Sequence, residues 1–180
     1  MNVYLKPGEL YISDKPVIVS TILGSCVALT IFSERCKTGG ICHAQLPVNP
    51  SSKGDDTFHY VDSSILYMLK EFETMGILRS EMELKLLGGA DVLDRFDEAT
   101  STVGQKNIET ALDIIRKENL TLKVSHVGGK LGRKILFHTH TGKIFLKRIN
   151  RMSVDGTGRS EGNGAKGMGH GAKCNGACYE

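Results

Sequence analysis

A cysteine and a histidine in the first quarter of the chain have the residue types and spacing for covalent acyl-transfer chemistry. Cys26 lies in Thr21-Ile-Leu-Gly-Ser-Cys-Val-Ala28, and His43 lies in Gly39-Gly-Ile-Cys-His-Ala-Gln-Leu-Pro47. Such a reaction needs a nucleophile and a base within hydrogen-bond reach of each other. Because the two residues fall on predicted neighbouring strands, a hairpin of this length can bring them together.

The ionisation state of the pair decides how reactive the thiol is. A free thiol is only about 3% thiolate at neutral pH. An imidazolium at His43 that lowered the Cys26 pKa by about two units, worth ~2.7 kcal/mol, would make most of the thiol nucleophilic. Gly24 permits a tight backbone path next to the thiol, and the N–H groups around Gly24 and Ser25 are candidate donors to an oxyanion.

The same pattern is also compatible with an unreactive core. Buried free cysteines are common, and Cys42 is predicted to be one of them. On spacing alone, both core packing and catalysis remain open for Cys26 and His43.

The elements that would position these residues are short strands and two helices. Strands rich in β-formers and bounded by Pro, Gly and Asp are predicted over residues 9–12, 17–21, 27–32 and 39–46. Apolar residues at helical spacing predict helices over 60–75, capped by Asp56 or Thr57, and over 106–117. Further strands are predicted over 82–86, 120–127, 134–140 and 143–149, the last two joined by a two-residue turn at Thr141-Gly142. The predicted fold class is α+β, with layered sheets flanked by the two helices.

The chain divides into a folded domain, residues 1–152, and a tail, residues 153–180. The last thirty residues contain eight glycines and almost no large apolar side chains, so they cannot form a core. We therefore predict a flexible tail.

Composition argues against several classes of protein. With 180 residues, 40% hydrophobic and 24% charged, the chain is an ordinary globular domain. The net charge of +3 is spread along the chain without interleaved aromatics, so nothing favours nucleic-acid binding. Five irregularly spaced cysteines indicate free thiols in a reducing compartment. The uncharged stretch 16–33 is too short and too polar for a membrane helix, which predicts buried β-structure and a cytoplasmic protein.

These segments resemble the chemoreceptor glutamine deamidases, the CheD family of bacterial chemotaxis. Besides the two motifs around Cys26 and His43, the resemblance includes Lys85-Leu-Leu-Gly-Gly-Ala90, Gly104-Gln-Lys-Asn107 and Gly128-Gly-Lys-Leu-Gly-Arg133, and it covers about residues 1–150. It departs at His126, where the family usually has an acidic residue that is not catalytic.

The resemblance implies a function and a set of site residues. The chain would be a protein-glutamine glutaminase, with Cys26 and His43 as the catalytic pair, Thr21 completing the site, and no cofactor or metal. Its substrate would be the helical cytoplasmic region of chemoreceptors, where the new glutamates become methylation sites. A CheC-type phosphatase is implied as a partner, and receptor methylester hydrolysis as a side activity.

Two other functions remain open from the residues themselves. One is a non-catalytic adaptor that binds receptors or the phosphatase; an intact Cys26, His43 and Thr21 disfavour it. The other is a thiol protease or an amide transferase, which would use the same chemistry.

Two groups of residues are alternative metal sites. The first comprises His126, His138 and His140, which lack an acidic or thiolate fourth ligand. The second comprises His170, Cys174 and Cys178, whose spacing matches no strong zinc pattern.

Overall fold

The computed structural model describes residues 1–50, 58–91, 101–149 and 177–179. Within these residues the strands are Asn2–Tyr4 (β1), Glu9–Ser13 (β2), Ile18–Leu23 (β3), Val27–Ser33 (β4), Thr38–His43 (β5), Glu83–Gly88 (β6), Leu122–Val127 (β7), Gly132–His138 (β8), Ile144–Ile149 (β9) and Ala177–Tyr179 (β10). The helices are Val61–Thr74 (α1) and Val103–Lys117 (α2), with a short 3₁₀ turn at Arg79–Glu81.

The strands form two sheets that pack face to face, and both helices cover the far side of one sheet. The outer sheet has the strand order β1-β3-β8-β9-β10, and the central sheet has the order β2-β5-β4-β6-β7. Both α1 and α2 pack on the central sheet, which is therefore covered on both faces. This arrangement confirms the predicted α+β layered fold.

Two layers of buried side chains result. The between-sheet layer is the space between the two sheets, and its apolar residues are Leu5, Val17, Val19, Leu23, Ala28, Ile41, Leu87, Ile135, Phe137, Ile144 and Leu146. The helix-facing layer is the space between the central sheet and the helices, and its strand residues include Val27, Leu29, Ile31, Cys42, Leu84 and Leu86.

β4 shows how the sequence divides between these layers. All seven residues of Val27–Ser33 are buried. Side chains alternate along a strand, so Leu29 faces the helices whereas Ala28 faces the outer sheet. Burial on both faces explains why β4 carries no charge. β3 in the outer sheet buries only alternate residues, and Ile22 on its other face is exposed. No helix among the described residues is long and apolar enough to cross a membrane.

Both predicted helices are present, but their starts differ from the prediction. α1 follows Tyr60, which makes no side-chain capping bond; the predicted caps, Asp56 and Thr57, lie outside the described residues. α2 begins before the predicted residue 106, because Thr102 Oγ1 accepts a hydrogen bond from the backbone N–H of Gln105 at 3.2 Å.

The outer sheet differs most from the prediction. β1 is an additional strand that pairs in parallel with β3. The predicted two-residue turn at Thr141-Gly142 is wrong, because residues 139–143 form a longer loop between β8 and β9. β10 pairs with β9 at the end of the chain, where the sequence predicts a flexible tail; the remainder of that tail lies outside the described residues.

Candidate active site

Thr21 and His43 meet across the between-sheet layer. Thr21 on β3 is 0% exposed and His43 at the end of β5 is 1% exposed. Thr21 Oγ1 lies 2.8 Å from Nδ1 of His43 and 2.7 Å from the backbone oxygen of Leu5. A hydroxyl has one proton and a carbonyl oxygen can only accept, so Thr21 donates to Leu5 and accepts from His43. Neutral His43 therefore carries its proton on Nδ1, which leaves a lone pair on Nε2.

Nε2 of His43 is buried and has no hydrogen-bond partner among the described residues. Buried polar atoms are nearly always paired in folded proteins, and this nitrogen is one of three exceptions among the described residues, with Oδ1 of Asn107 and Nδ1 of His140. Since nothing in the described fold uses the lone pair, it is available to take a proton. The ring has the orientation and the tautomer of a general base.

Cys26 lies between β3 and β4 on the same face of the central sheet as His43. Val27 and Ala44 exchange two backbone hydrogen bonds of 2.9 Å, in the register that continues along β4 and β5. This register places Ala28 opposite His43, and Cys26 two residues before Ala28. Residues in that diagonal relation are about 7–8 Å apart between Cα atoms. The two side chains therefore occupy neighbouring positions on one face of the sheet, and no hydrogen bond joins Nε2 to the sulfur.

Cys42 is excluded from the site by its position. It is buried in the helix-facing layer, on the opposite side of β5 from His43. Burial raises the pKa of its thiol to about 11. This confirms the prediction that Cys42 is a core residue.

The turn that carries Cys26 is held by a close backbone contact with the end of β6. A Cβ at Gly88 would overlap the carbonyl oxygen of Cys26, and the residue has a φ of +105°. Glycine alone satisfies both conditions. The next residue, Gly89, donates its N–H to the Cys26 carbonyl oxygen at 2.7 Å. The pair Gly88-Gly89 thus fixes the backbone of the cysteine.

The other carbonyl groups of this turn also point into the protein. The oxygen of Gly24 accepts from the backbone N–H of Ala90 at 2.8 Å, and the oxygen of Ser25 accepts from Nδ2 of Asn107 at 3.0 Å. In contrast, the N–H groups of Ser25 and Cys26 donate to no oxygen atom among the described residues. The turn therefore presents unused donors near the thiol.

Burial favours the neutral forms of both Cys26 and His43. It raises the pKa of the Cys26 thiol, and the backbone N–H of the same residue opposes part of this rise. It lowers the pKa of His43, against smaller effects of the Leu5 backbone and the Glu9 carboxylate. At neutral pH the resting pair is therefore a thiol and an imidazole. Burial therefore opposes the formation of a thiolate–imidazolium pair in the resting protein.

Comparisons with known proteins identify the family. The family described as CheD chemotactic sensory transduction matches residues 45–148. A Geobacter sulfurreducens protein named "Probable chemoreceptor glutamine deamidase CheD 2" is 45% identical over 157 residues, which cover 86% of this chain and 94% of that protein. The chain belongs to the CheD family.

Other CheD relatives are similar over the same extent. A "Probable chemoreceptor glutamine deamidase CheD" of Maridesulfovibrio salexigens is 38% identical over 158 residues, covering 83% of this chain and 93% of the relative. A protein of the same name from Thermococcus kodakarensis is 31% identical over 156 residues, covering 86% of this chain and 97% of the relative. The CheD match begins at Gln45, two residues after His43. That match does not include Cys26, His43 and Thr21, whose candidate roles rest on the resemblance of their motifs and on the geometry described above.

The first alternative metal site is not formed. His126 Nδ1 accepts from Nε of Arg133 at 2.9 Å, whereas His138 lies at the other end of β8 and packs on Phe145, with ring centroids 5.3 Å apart. Within the described ranges no group of three or more His, Cys, Asp or Glu side chains could hold a metal ion. The residues of the second site either lie outside the described residues or have no described side chain: His170, Cys174 and Cys178.

The sequence did not single out one buried residue that contacts the candidate site. Asn107 on α2 is 0% exposed and bonds the backbone on both sides of the site. The resemblance includes it in Gly104-Gln-Lys-Asn107 without assigning it a role. A polar residue on the buried face of an amphipathic helix was the available signal.

Proposed function

We propose that this chain is a protein-glutamine deamidase that converts glutamines of chemoreceptors to glutamate and releases ammonia. Cys26 is the nucleophile, His43 the base, and Thr21 the residue that orients the imidazole. The observation that carries the proposal is the buried, unpartnered Nε2 of His43 on the same face as Cys26. The names of the CheD relatives support the choice of substrate.

The first step forms a carbon–sulfur bond. Nε2 of His43 takes the thiol proton of Cys26 while the sulfur attacks the side-chain amide carbon of a substrate glutamine. The amide oxygen becomes an oxyanion and the imidazole becomes an imidazolium. Thr21 Oγ1 accepts from Nδ1 throughout, so the ring keeps its orientation while it gains the second proton.

The oxyanion is stabilised by backbone donors of the cysteine turn. The unused N–H groups of Ser25 and Cys26 are the candidates, with Gly24 leaving room for the substrate carbonyl. A good donor of this kind contributes about 10²–10³ in rate, or about 3–4 kcal/mol.

Collapse of the intermediate breaks the carbon–nitrogen bond. The imidazolium of His43 gives its Nε2 proton to the leaving amine, which departs as ammonia and leaves a thioester on Cys26. A water molecule then attacks the thioester while His43 takes one of its protons. The returning thiolate recovers that proton, and the product is glutamate. No cofactor enters this sequence of steps.

The setting of the reaction is also a proposal. The substrate is the helical cytoplasmic region of chemoreceptors, so the protein acts in the cytoplasm. A CheC-type phosphatase is the proposed partner, and it competes with the receptor for one surface. Hydrolysis of receptor methyl esters would use the same thioester chemistry.

Mass spectrometry of a chemoreceptor cytoplasmic fragment tests the proposal. Incubation with the wild-type chain should convert particular glutamines from amide to acid, and Cys26→Ala should convert none. Receptor binding by the wild type without conversion would contradict the proposal and favour a non-catalytic adaptor. Incorporation of an added amine in place of hydrolysis would indicate a transferase.

A further inference from the structure

Asn107 joins the two segments that carry the nucleophile and the base. Its Nδ2 donates to the backbone oxygen of Ser25 at 3.0 Å and to that of Gln45 at 2.8 Å. Ser25 directly precedes Cys26, and Gln45 follows His43 by two residues. One side chain on α2 therefore fixes the relative position of two segments that are far apart in sequence.

The chemistry of the contact requires an amide at this position. Both acceptors are carbonyl oxygens, so the nitrogen of Asn107 must face them and both of its protons are used. A carboxylate of the same shape would place negative charge against two carbonyl oxygens. A close approach of the helix makes the contact possible, because a Cβ at Gly104 would lie only 2.7 Å from the backbone oxygen of Gly89. Gly104 and Asn107, three residues apart, lie on the same face of α2.

The bond to Ser25 determines where the N–H of Cys26 points. The carbonyl of Ser25 and the N–H of Cys26 belong to one trans peptide plane, in which they point in opposite directions. Since Asn107 holds the carbonyl toward the helix, the N–H is directed away from it. This N–H donates to no oxygen atom among the described residues, which agrees with that orientation.

We propose that Asn107 is a positioning residue of the deamidase, which aims the backbone N–H of Cys26 at the oxyanion by holding the carbonyl of Ser25. This inference rests on the proposed thioester chemistry of Cys26 and extends it to a residue outside the Cys26–His43–Thr21 set. Asn107 does not touch the substrate in this account. It acts through one peptide plane.

Two reactions of the same thiol separate this role from general support of the fold. Acetyl transfer from p-nitrophenyl acetate to Cys26 forms a thioester through an oxyanion and releases p-nitrophenolate. Alkylation by iodoacetamide displaces iodide at a saturated carbon and forms no oxyanion. In Asn107→Ala, acylation should fall about 10²-fold, whereas alkylation of Cys26 should stay within about twofold of the wild-type rate.

The controls make the outcome decisive. Gln105→Ala, an exposed position on the same helix, should change neither rate, and Cys26→Ala gives the background of the other thiols. If Asn107→Ala does not fold, Asn107→Ser keeps one donor and should lower the ratio of acylation to alkylation by a smaller factor. An unchanged ratio in a folded variant, or a parallel loss of both rates, would overturn the inference.

The test does not depend on the receptor. If the wild type deamidates no receptor and Asn107→Ala still lowers the ratio of acylation to alkylation, the proposed substrate is wrong and the positioning role stands. If the wild type deamidates the receptor and the ratio is unchanged, the deamidase stands and the positioning role is wrong.

Discussion

Cys26 and Cys42 lie on opposite faces of the same sheet, and their surroundings differ in the groups that can exchange a proton. Cys42 packs in the helix-facing layer among aliphatic and aromatic side chains. Cys26 packs against the between-sheet layer, on the face that carries His43. The basic side chains that are buried in the described residues also face this layer: His43, Lys85 and Arg133.

The two thiols differ in their access to a base and not in the direction in which their pKa is shifted. Burial raises the pKa of both thiols, so neither is activated by a low pKa in the resting protein. What distinguishes Cys26 is a neighbouring base with an unused lone pair. Cys42 faces the helices because side chains alternate along β5, whereas Cys26 is placed by the turn between β3 and β4, which Gly88 and Gly89 hold.

Removing each thiol in turn should give opposite results. Cys26→Ala should abolish deamidation with little change in stability, since this residue is only half-buried. Cys42→Ala should keep deamidation within a few-fold of wild type and lower the free energy of unfolding by about 1 kcal/mol, because it leaves a small void in the core. Deamidation and denaturant unfolding of both variants check this, and loss of activity in Cys42→Ala alone would reverse the assignment.

The pH dependence of Cys26 alkylation should report a neutral resting pair. Because only the thiolate reacts, the iodoacetamide rate should rise about tenfold per unit between roughly pH 6 and 8. Because burial lowers the pKa of His43, the imidazole remains a base in mild acid. Deamidation should therefore decline only below the usual histidine range of about 6.5. A flat alkylation profile over that range would indicate a thiolate–imidazolium pair.

Thr21→Val should slow deamidation while Thr30→Val should not. Both threonines are buried, at 0% and 1% exposed, but Thr21 is the one that bonds His43. A valine at 21 no longer fixes the imidazole tautomer. We expect kcat to fall about 10²-fold. Loss of a charged orienting carboxylate costs ~10⁴, and the effect here should be smaller because a neutral hydroxyl stabilises the imidazolium less than a carboxylate does. Equal effects of the two substitutions would indicate packing alone.

Lys85→Met should change stability and leave the chemistry unchanged. Lys85 Nζ donates to the Gly142 carbonyl at 2.9 Å and pairs with Glu83 at 2.9 Å. Its loss leaves a buried carbonyl unpaired, which costs about 1–3 kcal/mol. The matched control is Lys123→Met, which removes the exposed partner of the same Glu83 and should cost less than about 1 kcal/mol. Thermal unfolding of the two variants measures the difference in stability. A reduced kcat in folded Lys85→Met would show that Lys85 also contributes to the reaction.

The local features of the site could be predicted from the sequence. The β-forming stretches around Cys26 and His43 and the spacing between them predicted the hairpin, and the frequent burial of free cysteines predicted Cys42 in the core. The CheD resemblance supplied Thr21, which spacing alone does not single out.

Features that depend on distant contacts could not be predicted. Asn107 bonds Ser25 across 82 residues of sequence and Gln45 across 62, and no local pattern shows such a contact. The effect of burial on Cys26 and His43, which favours both neutral forms, could not be predicted from the sequence because it is a property of the packed layers. The Thr141-Gly142 turn was wrong because β8 ends at His138, whose backbone oxygen accepts from the N–H of Gly142 at 2.9 Å.

The protonation of His43 is the most direct test of the central claim, that a neutral imidazole held by Thr21 serves as the base for Cys26. Nitrogen-15 NMR of the imidazole distinguishes a protonated ring nitrogen from one with a free lone pair. At neutral pH we predict a proton on Nδ1 and none on Nε2, with the Nδ1 proton signal lost or shifted in Thr21→Val. Protons on both nitrogens of the wild-type ring, lost in Cys26→Ala, would show a thiolate–imidazolium pair and contradict the account.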